Sequence, residues 1–133
     1  MMNESIVDMQ EEHYAIAEEW YLKKVGHKMQ RDLFSNTAWM YYDGGKPIAT
    51  VSAFICSPSV FINWLIANPE AAYIVKMRAF SELIAHAEKV SKAAGCMYSY
   101  CLATKPVIEK IFDRNNYSVA AVGCTEMFKV IGV

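Results

Sequence analysis

The sequence predicts an α/β fold (α+β by looser naming), with a mixed, mainly antiparallel central sheet of about six or seven strands flanked by about four helices. Three observations carry this. Asp43-Gly44-Gly45-Lys46 separates two strand-like runs, which is the pattern of a tight antiparallel hairpin. A mainly apolar run, Val60–Ala67, is followed by the longest helical pattern in the chain and then by another strand-like run from Cys96 to Ala103. A strand, a helix and a strand in succession call for a parallel crossover, so the sheet is mixed.

Taken in order, Ser5–Met9 alternates weakly, as a short edge strand would. Glu11 and Glu12 then open a helix whose Tyr14, Ala17, Trp20, Tyr21, Leu22 and Val25 recur at about 3.6 residues until Gly26 stops it. A second helical piece is expected from His27 to Phe34. Thr37–Tyr42 and Pro47–Ile55 are the hairpin strands, and Ser57-Pro58-Ser59 breaks the chain. Val60–Ala67 is apolar on both faces, as in a central strand. From about Ala71 to Ala94, Ile74, Met77, Phe80, Leu83, Ile84, Ala87, Val90 and Ala94 form one apolar stripe, and Gly95 ends the helix. Pro106 suits a helical first turn, with Val107, Ile108, Ile111 and Phe112 on the inner side, and Asn115-Asn116 closes that helix because Asn tolerates the left-handed conformation. Tyr117–Ile131 makes the last strand or strand pair, bending near Gly123. One domain, residues 1–133, is expected.

Composition narrows the function classes. Of 133 residues 54% are hydrophobic and 20% charged, so the chain can build a core and does not read as disordered. Net charge is −1, which argues against a basic nucleic-acid-coating surface. Ser59–Ala67, interrupted by Asn63, is far shorter than the roughly 20 residues of a membrane span. The first ten residues lack a basic segment, so a cytoplasmic location is expected. Cys56, Cys96, Cys101 and Cys124 sit in apolar, strand-like contexts and read as reduced, buried thiols. With no second Cys or His pair at zinc spacing, no metal site is expected. His13, His27 and His86 are scattered, without a neighbouring nucleophile motif.

The phrases Tyr42-Asp43-Gly44-Gly45-Lys46-Pro47-Ile48-Ala49, Ile62–Glu70 and Asp113-Arg114-Asn115-Asn116-Tyr117, in this order over nearly the whole chain, resemble the GNAT family of N-acetyltransferases. They match in turn the hairpin between its second and third strands, its fourth strand with the following Pro-Glu, and the end of its fourth helix. The resemblance implies acetyl-CoA as cofactor and an amine, on a small molecule or a protein, as acceptor. It implies that the fourth and fifth strands splay around the pantetheine arm, that a backbone N–H near Leu65, Ile66 or Ala67 polarises the thioester carbonyl, and that the pyrophosphate rests at the start of the long helix on Ala72, Tyr73, Ile74, Val75 and Lys76. Lys105 stands where the family has a cofactor-contacting Asn, and Phe112 where it has a Tyr that protonates the leaving thiolate. No glycine follows Pro69, although the family uses glycines there, and Glu70 adds negative charge.

The residues offer further candidates. Tyr98 and Tyr100 on the fifth strand are phenols able to act as the general acid, or aromatic residues packing a sheet face. Asn63 can bind a ligand or a neighbouring backbone group. Glu18, Glu19 and Glu126 are possible acceptors of the amine proton, and Cys101 lies near the expected thioester. Trp39, Tyr41 and Tyr42, with Trp20 and Tyr21, suit an acceptor pocket or a subunit surface. The missing glycines and Phe112 sustain an alternative: a catalytically degenerate GNAT-fold structural or interaction subunit, similar to degenerate members among phage-encoded and virion-associated proteins. A homo-oligomer or a protein partner suits either reading.

Overall fold

A computed structural model describes residues 5–29, 31, 34–35, 37–102, 106–121 and 126–131. These form β1 (Ile6–Asp8), α1 (Glu11–Val25), β2 (Thr37–Asp43), β3 (Lys46–Cys56), β4 (Ser59–Ala67), α2 (Tyr73–Ala93), β5 (Tyr98–Leu102), α3 (Pro106–Arg114), β6 (Ser118–Ala121) and β7 (Glu126–Val130). The strands hydrogen-bond in the order β1-β2-β3-β4-β5-β7-β6. β1 pairs antiparallel with β2, β5 with β7 and β6 with β7, whereas β4 and β5 run parallel. The sheet is mixed and mainly antiparallel, as expected, with three helices among the described residues.

Local chemistry explains the boundaries. Gly44 and Gly45 have φ of 59° and 83°, so the β2–β3 turn has both central residues in the left-handed region, which matches the twist of a two-residue hairpin. Asn116 takes φ 70°; its N–H donates to Asp113 O and the Tyr117 N–H to Phe112 O, a paired closure that satisfies the last carbonyls of α3. α1 begins where two glutamates face the positive end of the helix, and Gln10 N–H donates to His13 Nδ1 at 2.7 Å.

Cα proximity divides the chain into two compact units, the first running to Ser52 with Trp64–Leu83, the second comprising Ala53–Asn63 and the chain from Ile84 on. In the first, Met9, Ala17, Trp20, Met29, Phe34, Ala38, Met40 and Ile66 form the core, with Tyr14, Tyr21 and Trp64 packed against it. Arg31 makes a bidentate pair with Glu11 at 2.7 and 2.9 Å and lies 4.1 Å from the centre of the Tyr14 ring. In the second, the parallel register sets Ser59, Val60 and Phe61 opposite Tyr98, Ser99 and Tyr100, and β5 pairs with β7 along its whole length.

Several expectations are corrected. His27–Met29 is not helical; the rest of the proposed second helix lies largely outside the described residues. Leu22 and Val25 in the last turn of α1, Ile74 in the first turn of α2 and Ala94 just past its end are exposed, because the first and last turns have fewer neighbouring elements to cover them. β4 is not buried on both faces, since Phe61 and Asn63 are exposed. Cys96 and Cys101 are buried and outside any disulfide, but Cys56 is exposed at the end of β3. Cys124, Lys105, Ala103 and Gly123 lie outside the described residues.

Candidate functional site

The segment from the end of β4 to the first turn of α2 is built by three devices. The first is a backbone departure: Trp64, in the strand interior, has φ 55°. A bulky aromatic residue rarely enters the left-handed region, at a cost of about 1–3 kcal/mol that surrounding contacts must offset. Here the indole stacks on Phe34 (5.6 Å, 17°) and meets Tyr21 edge-on at 5.8 Å, while the buried Thr50 hydroxyl donates to the Trp64 carbonyl at 3.3 Å. The departure reorients the peptide groups that lead into Leu65, Ile66 and Ala67.

The second device is Asn68. Its N–H donates to Ile48 O at 2.8 Å and its side-chain amide to Pro47 O, which ties the strand end to β3. Its Oδ1 accepts the Glu70 N–H at 3.0 Å and its carbonyl accepts Ala71 N–H, so one side chain folds the reversal into the helix. The third is the helix start. Lys76 N–H donates to Ala72 O, making Ala72 the cap, so the N–H groups of Tyr73, Ile74 and Val75 have no acceptor within the helix. Tyr73 is 60% and Ile74 68% exposed, and no acidic residue lies in the first turn. The amide cluster and the positive end of the helix dipole are therefore open to solvent. Lys76 Nζ lies 3.4 Å from Pro69 O, holding its ammonium over the same turn.

This turn joins Leu65–Ala67 and Ala72–Lys76 in one segment, so two of the three cofactor-binding groups expected from the sequence are consecutive in space as in the chain. Lys105, the third, is outside the described residues. Tyr98 and Tyr100 share a face of β5; Tyr98 is exposed and Tyr100 half-buried, stacked on Phe61 at 5.3 Å. Phe112 is fully buried in α3. Glu18 is half-buried, Glu19 pairs with Lys23 on the surface of α1, and the Glu126 side chain is outside the description. Trp20, Trp39 and Tyr41 are buried, and Tyr21 and Tyr42 half-buried. The Tyr41 hydroxyl is within hydrogen-bond distance of Glu82, 3.1 Å.

The second unit holds a polar network that sequence reasoning missed. Buried Tyr117 shares a 2.5 Å hydrogen bond with buried Ser99, and Lys129 donates to Glu88 Oε1 at 3.0 Å while its ammonium lies 5.9 Å from the Tyr117 ring centre. Only the odd Ser amid the tyrosines of β5 hints at it. Burial, and then the Glu88 charge, push the Tyr117 phenol well above its ordinary value of 10.0. The folded state thus keeps a proton that the unfolded chain releases, so this contribution is complete below pH 10 and is lost as pH rises beyond it. Guanidinium unfolding of wild type at rising pH above that value is expected to lose up to about 1.4 kcal/mol per pH unit through this group. Tyr117→Phe should flatten the slope by that amount; parallel slopes would refute the assignment.

No family model matches this sequence, and no curated protein is similar to it in sequence. Solved structures are similar in shape. The aminoglycoside 6'-N-acetyltransferase of Enterococcus faecium superposes with a TM-score of 0.73 at 10% identity, over 95% of this chain and 96% of that one. The ribosomal-protein-S18-alanine N-acetyltransferase of Escherichia coli gives 0.73 at 11% identity, over 96% and 94%. N-acetylglutamate synthase of Neisseria gonorrhoeae, complexed with coenzyme A and L-arginine, gives 0.76 at 13% identity, over 97% of this chain and 33% of that one.

The chain has the GNAT fold. At these identities the likeness is one of architecture, and the GNAT frame is reached here by residues largely its own. Within that frame the Trp64 departure falls on the fourth strand of the hairpin-strand-helix order read from the sequence, and the open amide cluster falls on the helix that follows it.

Proposed function

We propose that this protein is an N-acyltransferase that moves an acetyl group from acetyl-CoA to an amine on a small molecule or a protein. The observation that carries the reading is the Trp64 departure, followed within a few residues by the solvent-open first turn of α2. In this reaction the amine nitrogen attacks the thioester carbonyl, the C–S bond breaks, the amine loses a proton and the thiolate gains one. Peptide N–H groups at Leu65–Ala67 polarise the carbonyl, and those of Tyr73–Val75 with Lys76 hold the pyrophosphate. The donor set suits an anion: free amides, a helix N-terminus and one ammonium. Side chains at every position after Pro69 keep the phosphates farther from the backbone than glycines would.

A cap substitution tests this site. Ala72→Asp supplies a carboxylate for the free first-turn amides, which is expected to stabilise the protein by about 1 kcal/mol. The same carboxylate occupies the anion site, so affinity for coenzyme A in calorimetric titration should fall at least about tenfold. Wild type is expected to bind acetyl-CoA with micromolar Kd, roughly −8 kcal/mol. A variant that gains stability and binds as wild type would remove the pyrophosphate from the helix start. Absence of heat from wild type, with an unchanged melting temperature at high ligand concentration, would remove the donor altogether.

The buried Phe112 favours a second reading, a GNAT-fold subunit without catalysis, because it leaves that α3 position no proton to give. Saturable thiol release from acetyl-CoA with an amine panel would exclude it. Under the first reading the thiolate takes its proton from water.

A further inference from the structure

We propose that Cys56 and Cys96 are a redox pair whose thiols close reversibly into a disulfide, clamping the β3–β4 turn onto the entry of β5. Both lie in the second unit and outside the donor segment, so the inference stands apart from the proposed reaction. Cys56 ends β3 and Ser59 begins β4 with only Ser57 and Pro58 between them, so Cys56 and Ser59 face each other across a two-residue turn. That turn is docked on the residues around Cys96. The Ser57 hydroxyl donates to Gly95 O at 3.3 Å, and Pro58 O accepts from Met97 N–H at 2.7 Å and Tyr98 N–H at 3.1 Å. The Cys96 thiol itself donates to Ser59 O at 3.4 Å. The residue after Cys56 thus touches the residue before Cys96, and the Cys96 sulfur is aimed at the residue that faces Cys56. A disulfide needs two Cα atoms within about 7 Å, and the segments that carry these cysteines are in contact: a Cβ placed on Gly95 would meet Ser57 Oγ at 3.5 Å.

The two sulfurs differ in access, and the difference sets their order of reaction. Cys56 is exposed, so a dissolved oxidant meets it first, whereas Cys96 is only 1% exposed. Burial, and then the charge of Cys56, push the Cys96 thiol above its ordinary value of 9.0 and keep it protonated until a partner sulfur is presented to it. The oxidant is a low-molecular-weight disulfide such as oxidised glutathione. The Cys56 thiolate attacks one of its sulfurs; that S–S bond breaks, and a glutathione thiolate leaves and takes up a proton. Cys96 then gives up its proton and attacks the Cys56 sulfur of the mixed disulfide, expelling the second glutathione. Two cysteine thiols are oxidised, one glutathione disulfide is reduced to two thiols, and an excess of dithiol reverses both steps. The bond closes a ring from position 56 to position 96 that contains β4 and α2, which restricts the unfolded chain.

Intact mass and a non-reducing peptide map of the full chain, after incubation with millimolar oxidised glutathione, test it. The mass is expected to fall by two hydrogen atoms, with one pair of peptides joined through Cys56 and Cys96, and the thiols titrated in denaturant should drop from the four of the sequence to two. The melting temperature should rise on the order of 10 °C and return when dithiothreitol is added. Cys56→Ser should show neither change, and Cys96→Ala should stop at a glutathione adduct on Cys56. Cys101→Ala should close the disulfide as wild type does. A lasting glutathione adduct on wild-type Cys56, a bond from Cys56 to a different cysteine, or four thiols left after oxidation would each overturn the inference, as would a Cys56–Cys96 bond that leaves the melting temperature unmoved.

Discussion

Phe112→Ala is expected to cost about 4 kcal/mol of stability, a fall in melting temperature on the order of 12–16 °C for a chain of this size. The ring is completely buried, lies edge-on to Tyr117 at 4.9 Å and 76°, and belongs to the residue whose carbonyl receives the closing bonds of α3 from Asn115 and Tyr117. Truncation leaves a cavity between α3 and the chain that follows it, and loosens the hold on Tyr117 and so on Ser99. Guanidinium unfolding measures the loss; a value below about 1 kcal/mol would mean that the site collapses without penalty. Phe112→Tyr is the informative companion. It installs a hydroxyl in a fully buried place that now holds carbon, which is expected to cost about 1–3 kcal/mol, and it should not raise thiol release. A gain in turnover would show that the hydroxyl reaches the reacting sulfur, and would return α3 to the chemistry.

Lys129→Met ranks second, at about 2–3 kcal/mol. Glu88 and Lys129 have side chains only 14% and 26% exposed, and Glu88 Oε2 is buried without a hydrogen-bond partner among the described residues. Removing the ammonium leaves a largely desolvated carboxylate with no compensating charge, and breaking such a pair from one side costs more than the pair contributes. The exposure that remains places the value below the full range for buried pairs. Glu88→Leu combined with Lys129→Met should recover most of the loss, because the cost lies in the stranded charge. A double variant as unstable as Lys129→Met alone would show that Lys129 acts through packing on Tyr117 instead.

β4 contributes to both compact units. It gives Phe61 and Asn63, both exposed, to the second unit and Trp64–Ala67 to the first. Phe61, Asn63 and Trp64 thus carry an exposed aromatic ring, an exposed amide and a backbone departure, which is why this strand departs from the two-sided apolar burial its composition suggested.

The order of elements, the β2–β3 turn and the ends of α1, α2 and α3 were legible in the sequence. Each depends on a residue whose own backbone preference decides the outcome: Gly44 and Gly45 at φ 59° and 83°, Gly95 at 97°, Asn116 at 70°. Such preferences act over a few bonds and need no distant partner. Trp64 at φ 55° has the opposite character, since nothing in its side chain favours that conformation; Phe34, Tyr21 and Thr50, all at least 14 positions away, hold it there. The exposure of Ile74, Phe61 and Cys56, the interior position of Trp39 and Tyr41, and the meeting of Ser99, Tyr117, Glu88 and Lys129 were likewise decided by long-range packing. Periodicity shows which residues can share a face, but what covers that face depends on contacts that exist only once the chain has folded.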